Sequence, residues 1–212
     1  DATGAVRRPI PRPDPSPIAA GRPCVSTYGD SFTYGTEAPV DGAYPHFLGE
    51  LLGWAVRNYG IAGYGSDHAT MLYRAQGTVD SAPVVIFAHL TENIMRNVNR
   101  YANLLYPGSP LRFKPRFIPS GDTVRYLPSP VISAADFRRV RSNPDSALAP
   151  DGLLRRPRPR FPYTVAVARW FICDVKTLTR LRGIPVEAAF YDESHPARGV
   201  QVTASLVDLA VR

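Results

Sequence analysis

Two short segments near opposite ends of the chain contain the residue types of a serine nucleophile and its base. Gly29-Asp30-Ser31 follows a short apolar run at residues 24–28, and Asp192 and His195 lie near the other end. A serine at the turn after a buried strand projects its hydroxyl where open α/β sheets bind ligands. A hydroxyl becomes a nucleophile when a base takes its proton. We therefore predict that His195 is that base and that Asp192 orients its imidazole.

Two further segments contain candidate donors to a tetrahedral oxyanion. The glycine-rich segment 58–65 includes Gly63, whose backbone N–H is predicted to donate because glycine permits close approach of the reacting carbonyl. Beyond an apolar run at residues 84–88 the chain reads Glu92-Asn93. Asn93 has a side-chain amide, which is able to donate a hydrogen bond at this position. If Glu92 occupies that place instead, its carboxylate repels the oxyanion and the mechanism is altered or lost.

At these residues the sequence resembles the SGNH, or GDSL, hydrolase family, which is named for four blocks carrying Ser, Gly, Asn and His. Residues 29–32 resemble the first block, with Phe32 where the name-giving leucine stands. Residues 58–65 resemble the second block, in which the glycine serves the oxyanion hole. Residues 192–195 resemble the Asp-x-x-His of the last block.

The third block is atypical. The family has Gly-x-Asn-Asp after a strand, and alignment on that strand and on Arg96 places Glu92 at the asparagine position. A shift of one residue restores Asn93. The resemblance covers residues 23–102 and about 184–210, and it leaves the middle of the chain unexplained.

The resemblance implies a three-layer α/β/α sandwich with a central parallel sheet of the flavodoxin-like type. It also implies a serine esterase without a cofactor, which forms an acyl-enzyme on Ser31 and has an oxyanion hole made by Ser31, Gly63 and Asn93. The implied substrates are small or medium acyl esters, including carbohydrate esters. Two alternatives stay open: an O-acyltransferase that delivers the acyl group to a hydroxyl acceptor, and a non-catalytic binding domain on the same fold.

The apolar periodicity predicts alternating strands and helices. Strands are predicted at residues 24–28, 54–58, 83–88 and 186–190. Helices are predicted at residues 44–52, 67–76 with Ser66 as the cap, 94–105, 163–181 and 199–211. This alternation is typical of a parallel sheet in a three-layer α/β sandwich, and the strand at residues 83–88 has the composition of a fully buried one.

Two parts of the chain depart from this alternation. Residues 1–22 form a predicted Pro/Arg-rich extended arm before the domain at residues 23–212. Residues 106–160 form a predicted insertion with a β-hairpin that turns at Gly121-Asp122 and a short helix at residues 133–141. The insertion is predicted to be a flap over the carboxyl ends of the strands. The alternative is that it covers a sheet edge or forms a dimer interface.

The composition is that of a globular protein: 44% of the 212 residues are hydrophobic and 20% are charged. The net charge of +7 comes almost wholly from arginine, because Lys114 and Lys176 are the only lysines. Arginine suits anionic partners, but genome composition is the favoured explanation of the bias. The sequence has no zinc-ligand spacing and no base-reading basic helix, so no nucleic-acid partner is expected. The four histidines lack metal-ligand spacing, and we interpret His68 and His89 as structural polar residues.

The cysteines and the apolar runs bear on the expected location of the protein. Cys24 lies in a predicted strand and Cys173 in a predicted helix, so both are expected to be buried thiols. Two unpaired cysteines favour a reducing, cytoplasmic compartment. The chain begins at Asp1 without methionine, which leaves open a removed signal peptide. No apolar run approaches the roughly 20 residues of a membrane span, so no stable membrane insertion is expected.

Overall fold

The computed structural model describes residues 24–76, 82–101, 112–143, 162–165, 167–168, 190–192 and 198–211. These segments form a mixed α/β structure in which three parallel strands are flanked by helices. The elements in chain order are β1 (Val25–Gly29), α1 (Ser31–Tyr34), a 3-10 turn (Val40–Gly42), α2 (Tyr44–Leu52), β2 (Val56–Gly60), α3 (Ser66–Gln76), β3 (Val84–Phe87), α4 (Asn93–Asn97), β4 (Arg116–Ser120), β5 (Thr123–Leu127), α5 (Ala134–Ser142) and α6 (Gly199–Val211).

The parallel sheet has the strand order β2-β1-β3. Tyr28 of the central strand pairs with Tyr59 on one side and with Phe87 on the other. Because all three strands run in the same direction, their carboxyl ends lie at one edge of the sheet. The loops that lead to Ser31, Gly63 and Asn93 therefore leave from the same edge, where open α/β sheets bind ligands.

An aromatic cluster fixes α3 against one face of the sheet. The ring of Tyr28 stacks on Tyr59 and Phe87, with centroids 4.9 and 5.5 Å apart. Tyr73 of α3 meets Tyr28 edge-on at 5.4 Å, and Leu72 of the same helix is buried in this cluster. Aromatic pairs at these distances add to the stability that area burial alone confers. This packing positions the first turn of α3 at the edge of the sheet described above.

The helix α2 lies on the opposite face. Successive side chains of a strand point to opposite faces, so Val56 of β2 points away from the face that carries Tyr59. A Cβ atom built on Gly49 of α2 lies 3.5 Å from Cγ2 of Val56 and 3.1 Å from the carbonyl oxygen of Trp54. Close approach of α2 to β2 therefore needs the small residue at position 49, and helices cover both faces of this strand.

Several predicted elements are confirmed with small shifts. The helices expected at residues 44–52, 67–76 and 199–211 are α2, α3 and α6. The second strand is Val56–Gly60, two residues later than expected. The expected strand at residues 186–190 and helix at residues 163–181 lie largely outside the described residues, as do the arm at residues 1–22 and Cys173.

Two burial predictions were wrong. The strand β3 is half-buried rather than fully buried, and Val84 at its start is 42% exposed. The reason is its position: in the described sheet β3 pairs with β1 only and forms an edge. Cys24 is likewise half-buried, because it precedes β1 and lies at the end of the sheet rather than in its centre.

The helix α4 is shorter than predicted. It spans Asn93–Asn97, whereas the apolar pattern predicts residues 94–105. The side chain of Asn99 donates to the carbonyl oxygen of Met95 at 2.8 Å, and Tyr101 instead forms an antiparallel bridge with Phe113. Asparagine side chains that bond to nearby backbone groups compete with helical hydrogen bonds. The chain therefore leaves the helix before the apolar pattern ends.

The predicted hairpin is present as β4 and β5, which pair antiparallel around Gly121. It packs on the helices: Phe117 of β4 shares a buried cluster with Val202 and Leu206 of α6. The side chain of Gln201 donates to the carbonyl oxygen of Gly121 at 3.2 Å. These contacts attach the hairpin to α6. The rest of the predicted flap is only partly described, and its role over the strand ends stays a prediction.

A buried ion pair joins Lys114, which precedes β4, to the first turn of α3. Lys114 binds the carboxylate of Asp67, which is 1% exposed, and Nδ1 of His68 lies 3.4 Å from Oδ1 of Asp67. Burial by itself raises the pKa of Asp67, but the charges of Lys114 and His68 outweigh it and hold that pKa well below its usual range. Asp67 is therefore ionised at neutral pH and depends on Lys114 for compensation.

We expect Lys114→Met to lower the free energy of unfolding by about 3 kcal/mol at neutral pH, because it leaves the Asp67 carboxylate buried and poorly compensated. The pKa of Asp67 is lower in the folded state, so the stabilisation is complete above the ordinary pKa of about 4 and declines as pH falls below it. Urea denaturation at several pH values measures this. Arg125→Met, at an exposed position of β5, is the control. An unchanged midpoint for Lys114→Met contradicts the prediction.

No helix in the described segments is both long and apolar enough to cross a bilayer.

Candidate functional site

Ser31 lies at the first residue of a short helix directly after the central strand. The side chain of Asp30 caps this helix by accepting the N–H of Phe32 at 2.9 Å. The helix ends at Gly35, in the left-handed conformation. Ser31 is half-buried, whereas Asp30 is 2% exposed. The strand and the cap thus place Ser31 at the edge of the sheet, next to the buried carboxylate of Asp30.

Asn58 of β2 holds this turn in place. Its amide Nδ2 donates to the carbonyl oxygen of Thr33 at 2.7 Å, and its Oδ1 accepts the N–H of Gly60 at 2.9 Å. The two bonds tie the helix that carries Ser31 to the neighbouring strand. The sequence alone predicts no role for Asn58 in the glycine-rich segment. In the structure its side chain positions the helix that carries Ser31.

Gly63 has a backbone conformation that favours glycine. Its φ of +82° lies in the left-handed region, which residues with a Cβ atom rarely adopt. The loop is paired to the central strand, since Ile61 donates its N–H to the carbonyl oxygen of Gly29 at 3.1 Å. Nη1 of Arg112, in the insertion, lies 4.0 Å from the position that a Cβ would take on Gly63. Gly63 and an exposed guanidinium group are therefore neighbours.

One buried guanidinium group joins the three loops that follow the strands. Nη1 of Arg96 donates to the carbonyl oxygen of Tyr64 at 2.9 Å and to Oδ1 of Asn93 at 3.1 Å. The same nitrogen lies 3.5 Å from Oδ2 of Asp30, and Nη2 donates to Oε1 of Glu92 at 2.7 Å. Arg96 is 7% exposed. The residue next to Ser31, the residue next to Gly63, and Asn93 thus meet at one side chain.

These contacts distinguish Asn93 from Glu92. Asn93 is 1% exposed, and its Oδ1 is held by Arg96, so the amide Nδ2 is the group that can donate to a ligand. The Glu92 side chain is 39% exposed and its carboxylate is compensated by Arg96 at 2.7 Å. The sequence alone does not predict this role of Arg96, and the signal for it is an arginine three residues after the asparagine.

The residues predicted to activate the serine lie at the margin of what the structure describes. Asp192 is exposed, and His195 lies outside the described residues. Phe190 is 2% exposed and packs on Ile94 of α4. A Cβ on Gly199 lies 2.8 Å from Cγ2 of Ile94 and 2.9 Å from the carbonyl oxygen of Phe190. The segment 191–198 therefore leaves and rejoins the fold beside Ile94, the residue after Asn93.

A second serine and a histidine form a hydrogen bond at the same edge of the sheet. Oγ of Ser66, at the start of α3, lies 2.7 Å from Nδ1 of His89, which follows β3 by two residues. Burial lowers the pKa of His89, and the negative charge of Asp30 opposes that shift with a smaller effect. From the sequence alone we interpret His89 as structural. A histidine directly beyond a strand of a parallel sheet is the sequence signal for a role at this edge.

Among the described residues no group of three or more His, Cys, Asp or Glu side chains is arranged to hold a metal ion. Comparison of the chain with family models, with curated proteins and with solved structures finds no match. The function proposed for this protein therefore rests on the geometry and chemistry of the residues at this site.

Proposed function

We propose that this protein is a serine hydrolase of the SGNH type that cleaves carboxylic esters through an acyl-enzyme on Ser31. The Ser31 hydroxyl attacks the ester carbonyl while His195, oriented by Asp192, takes its proton and passes it to the departing alcohol. The backbone N–H groups of Ser31 and Gly63 and the amide of Asn93 stabilise the oxyanion. Water, activated by His195, then attacks the acyl-enzyme and releases the acid. All these steps use groups of the chain and water.

The observation that carries the proposal is the position of Arg96. Its guanidinium binds the side chain of Asn93 and the carbonyl oxygen of Tyr64 and lies 3.5 Å from the carboxylate of Asp30. Asp30 lies next to Ser31 in the segment that resembles the first family block. Tyr64 lies next to Gly63 in the segment that resembles the second block, and Asn93 belongs to the third. A hydrolase of this type needs its nucleophile and its oxyanion donors within a few ångströms of one reacting carbonyl. The Arg96 contacts support such an arrangement.

The anchoring of the segment 191–198 supports the role of His195. The residues that flank this segment lie beside Ile94, next to Asn93: Phe190 shares a buried cluster with Ile94, and a Cβ on Gly199 lies 2.8 Å from it. His195 precedes Gly199 by four positions, and an extended chain of that length spans at most about 14 Å. This length allows the proposed base to reach the proposed oxyanion donor, although it follows Ser31 by 164 positions along the chain.

The sheet order supports the finer fold proposal. The order β2-β1-β3 is the beginning of the flavodoxin-like order 2-1-3-4-5. We propose that the full domain at residues 23–212 is a three-layer α/β/α sandwich with the segment 106–160 as an insertion. In such sheets the ligand lies where the strand order reverses. Ser31, at the end of β1 and beside the loop that follows β3, has that position.

Labelling with a fluorophosphonate probe tests the proposal directly, because the probe reacts with activated serines and spares ordinary hydroxyls. We expect one label per chain, mapped to Ser31 by peptide mass spectrometry. The label should be absent in the heat-denatured protein and after Ser31→Ala. Absence of labelling in the folded protein, or a label on another serine, contradicts the assignment and favours a non-catalytic binding domain or another nucleophile.

A matched pair of glycine variants tests the oxyanion role of Gly63. Gly63 and Gly53 have positive φ values of +82° and +66°, and nothing lies within 4 Å of a Cβ built on Gly53. Alanine at either position is expected to cost about 1 kcal/mol of stability from backbone strain. Only Gly63→Ala moves the proposed donor, so only this variant is expected to lower kcat, by on the order of tenfold or more. Equal kcat values in the two variants contradict the role.

A further inference from the structure

The hydrogen bond between Ser66 and His89 crosses the end of the central strand. Ser66 begins α3, beyond the loop that follows β2, and His89 follows β3. In the order β2-β1-β3 these two loops flank β1. Ser31 leaves the end of β1 between them. The 2.7 Å bond from Oγ of Ser66 to Nδ1 of His89 therefore joins the two loops on either side of the proposed nucleophile.

The backbone contacts of these loops place His89 beside the turn that carries Ser31. Ala88 donates its N–H to the carbonyl oxygen of Tyr28 at 2.8 Å, so the residue after it lies level with the turn that follows β1. The effect of the Asp30 carboxylate on the pKa of His89 reflects the same proximity. His89 is itself only partly buried at this edge. The imidazole is thus available to a ligand that occupies the strand ends.

The chemistry of the pair determines which group of a ligand suits it. Burial lowers the pKa of His89 in spite of Asp30, so the ring is neutral at neutral pH. A neutral imidazole has one N–H and one lone pair, and Nδ1 is engaged by the Ser66 hydroxyl. Nε2 is then the nitrogen that faces a ligand, as a donor or as an acceptor. A hydroxyl group, which also donates and accepts, matches it, whereas the buried Asp30 carboxylate disfavours an anion.

We propose that His89, held by Ser66, is a specificity-determining residue that hydrogen-bonds through Nε2 to a hydroxyl group of the ester substrate. The inference rests on the proposed hydrolase function and deepens it, because it names the substrates that the site prefers: esters that carry a free hydroxyl close to the acyl group. In this arrangement Ser66 is a positioning residue, which fixes the orientation and the tautomer of the imidazole. Neither residue takes part in bond cleavage.

Two matched esters test this preference. The monoacetate of a vicinal cyclohexane diol carries the free hydroxyl, and the corresponding methoxycyclohexyl acetate carries a methyl ether in its place. The measured quantity is the ratio of the two kcat/KM values. In the wild-type protein it is expected to favour the hydroxyl ester. His89→Leu should lower the ratio by about tenfold, which corresponds to the free energy of roughly one hydrogen bond. The change is expected mainly in KM. Ser66→Ala should lower the ratio by less, and His89→Gln should restore part of it.

The controls separate the specificity role from general damage. His46→Leu, in α2, should leave the ratio unchanged. Dissociation constants of both esters for Ser31→Ala measure binding without turnover, and adding His89→Leu to that background should weaken binding of the hydroxyl ester selectively. An unchanged ratio in His89→Leu, including an equal loss for both esters, overturns the inference. If the wild-type protein hydrolyses neither ester, the proposed function is wrong. The dissociation constants of the two esters, with and without His89→Leu, then test the role of His89 by themselves.

Discussion

Replacement of Ser31 by alanine is expected to lower kcat for a simple aryl acetate by about 10⁴-fold or more while the protein stays folded. The reason is chemical: no other group at that position can form the acyl-enzyme. The side chain of Ser31 has no hydrogen bond among those that hold the turn, since Asp30 provides the cap and Asn58 the link to β2. His195→Ala is expected to have a comparable effect, because nucleophile and base act as a unit.

The control for Ser31→Ala is Ser142→Ala. Ser142 is an exposed serine at the end of α5 that bonds to the carbonyl oxygen of Arg139, far along the chain from the proposed site. Rates are measured on freshly purified monodisperse protein, and far-UV circular dichroism checks the fold. Near-wild-type turnover by Ser31→Ala excludes a serine hydrolase that uses this residue. Loss of turnover in Ser66→Ala but not in Ser31→Ala assigns the nucleophile to Ser66 instead.

The second large effect is expected at Asn93. Asn93→Ala should lower kcat on the order of 10²-fold with little change in KM, because the amide stabilises charge that develops only in the transition state. Asn93→Asp is the sharper variant. Aspartate has nearly the same shape as asparagine. One of its carboxylate oxygens is able to accept a hydrogen bond from Arg96, as Asn93 Oδ1 does. It replaces the donor by a negative charge beside the oxyanion, so kcat should fall at least as far.

Thermal unfolding distinguishes the catalytic loss from a structural one. Asn93→Asp should unfold below the wild-type temperature, because Arg96 already compensates Glu92 and Asp30, but it should stay folded at the assay temperature. Asn143→Ala, which changes an exposed asparagine after α5, serves as the reference for an uninvolved amide. A wild-type kcat in Asn93→Asp removes Asn93 from the oxyanion hole. The stabilising group is then to be sought among the remaining donors, Ser31 and Gly63.

Local patterns predicted the elements that depend on neighbouring residues. The apolar run before Ser31 and the turn residues Gly29 and Asp30 are enough to specify a strand followed by a helix, because backbone preference and capping act over a few residues. The same holds for α2, α3 and the hairpin around Gly121. The prediction failed at α4, where Asn99 bonds back to Met95 and ends the regular structure that apolar spacing favours.

The same distinction between local and long-range determinants applies to the residues of the candidate site. The amino-acid sequence by itself determined that Ser31 follows a strand and that Gly63 lies in a glycine-rich loop, since both depend on short segments. Only the tertiary structure decided that Arg96 meets Asp30, 66 residues earlier, and that His89 meets Ser66, 23 residues earlier. Those meetings depend on the order β2-β1-β3. Strand order arises from packing of the whole sheet against its helices, which no spacing of residues along the chain encodes.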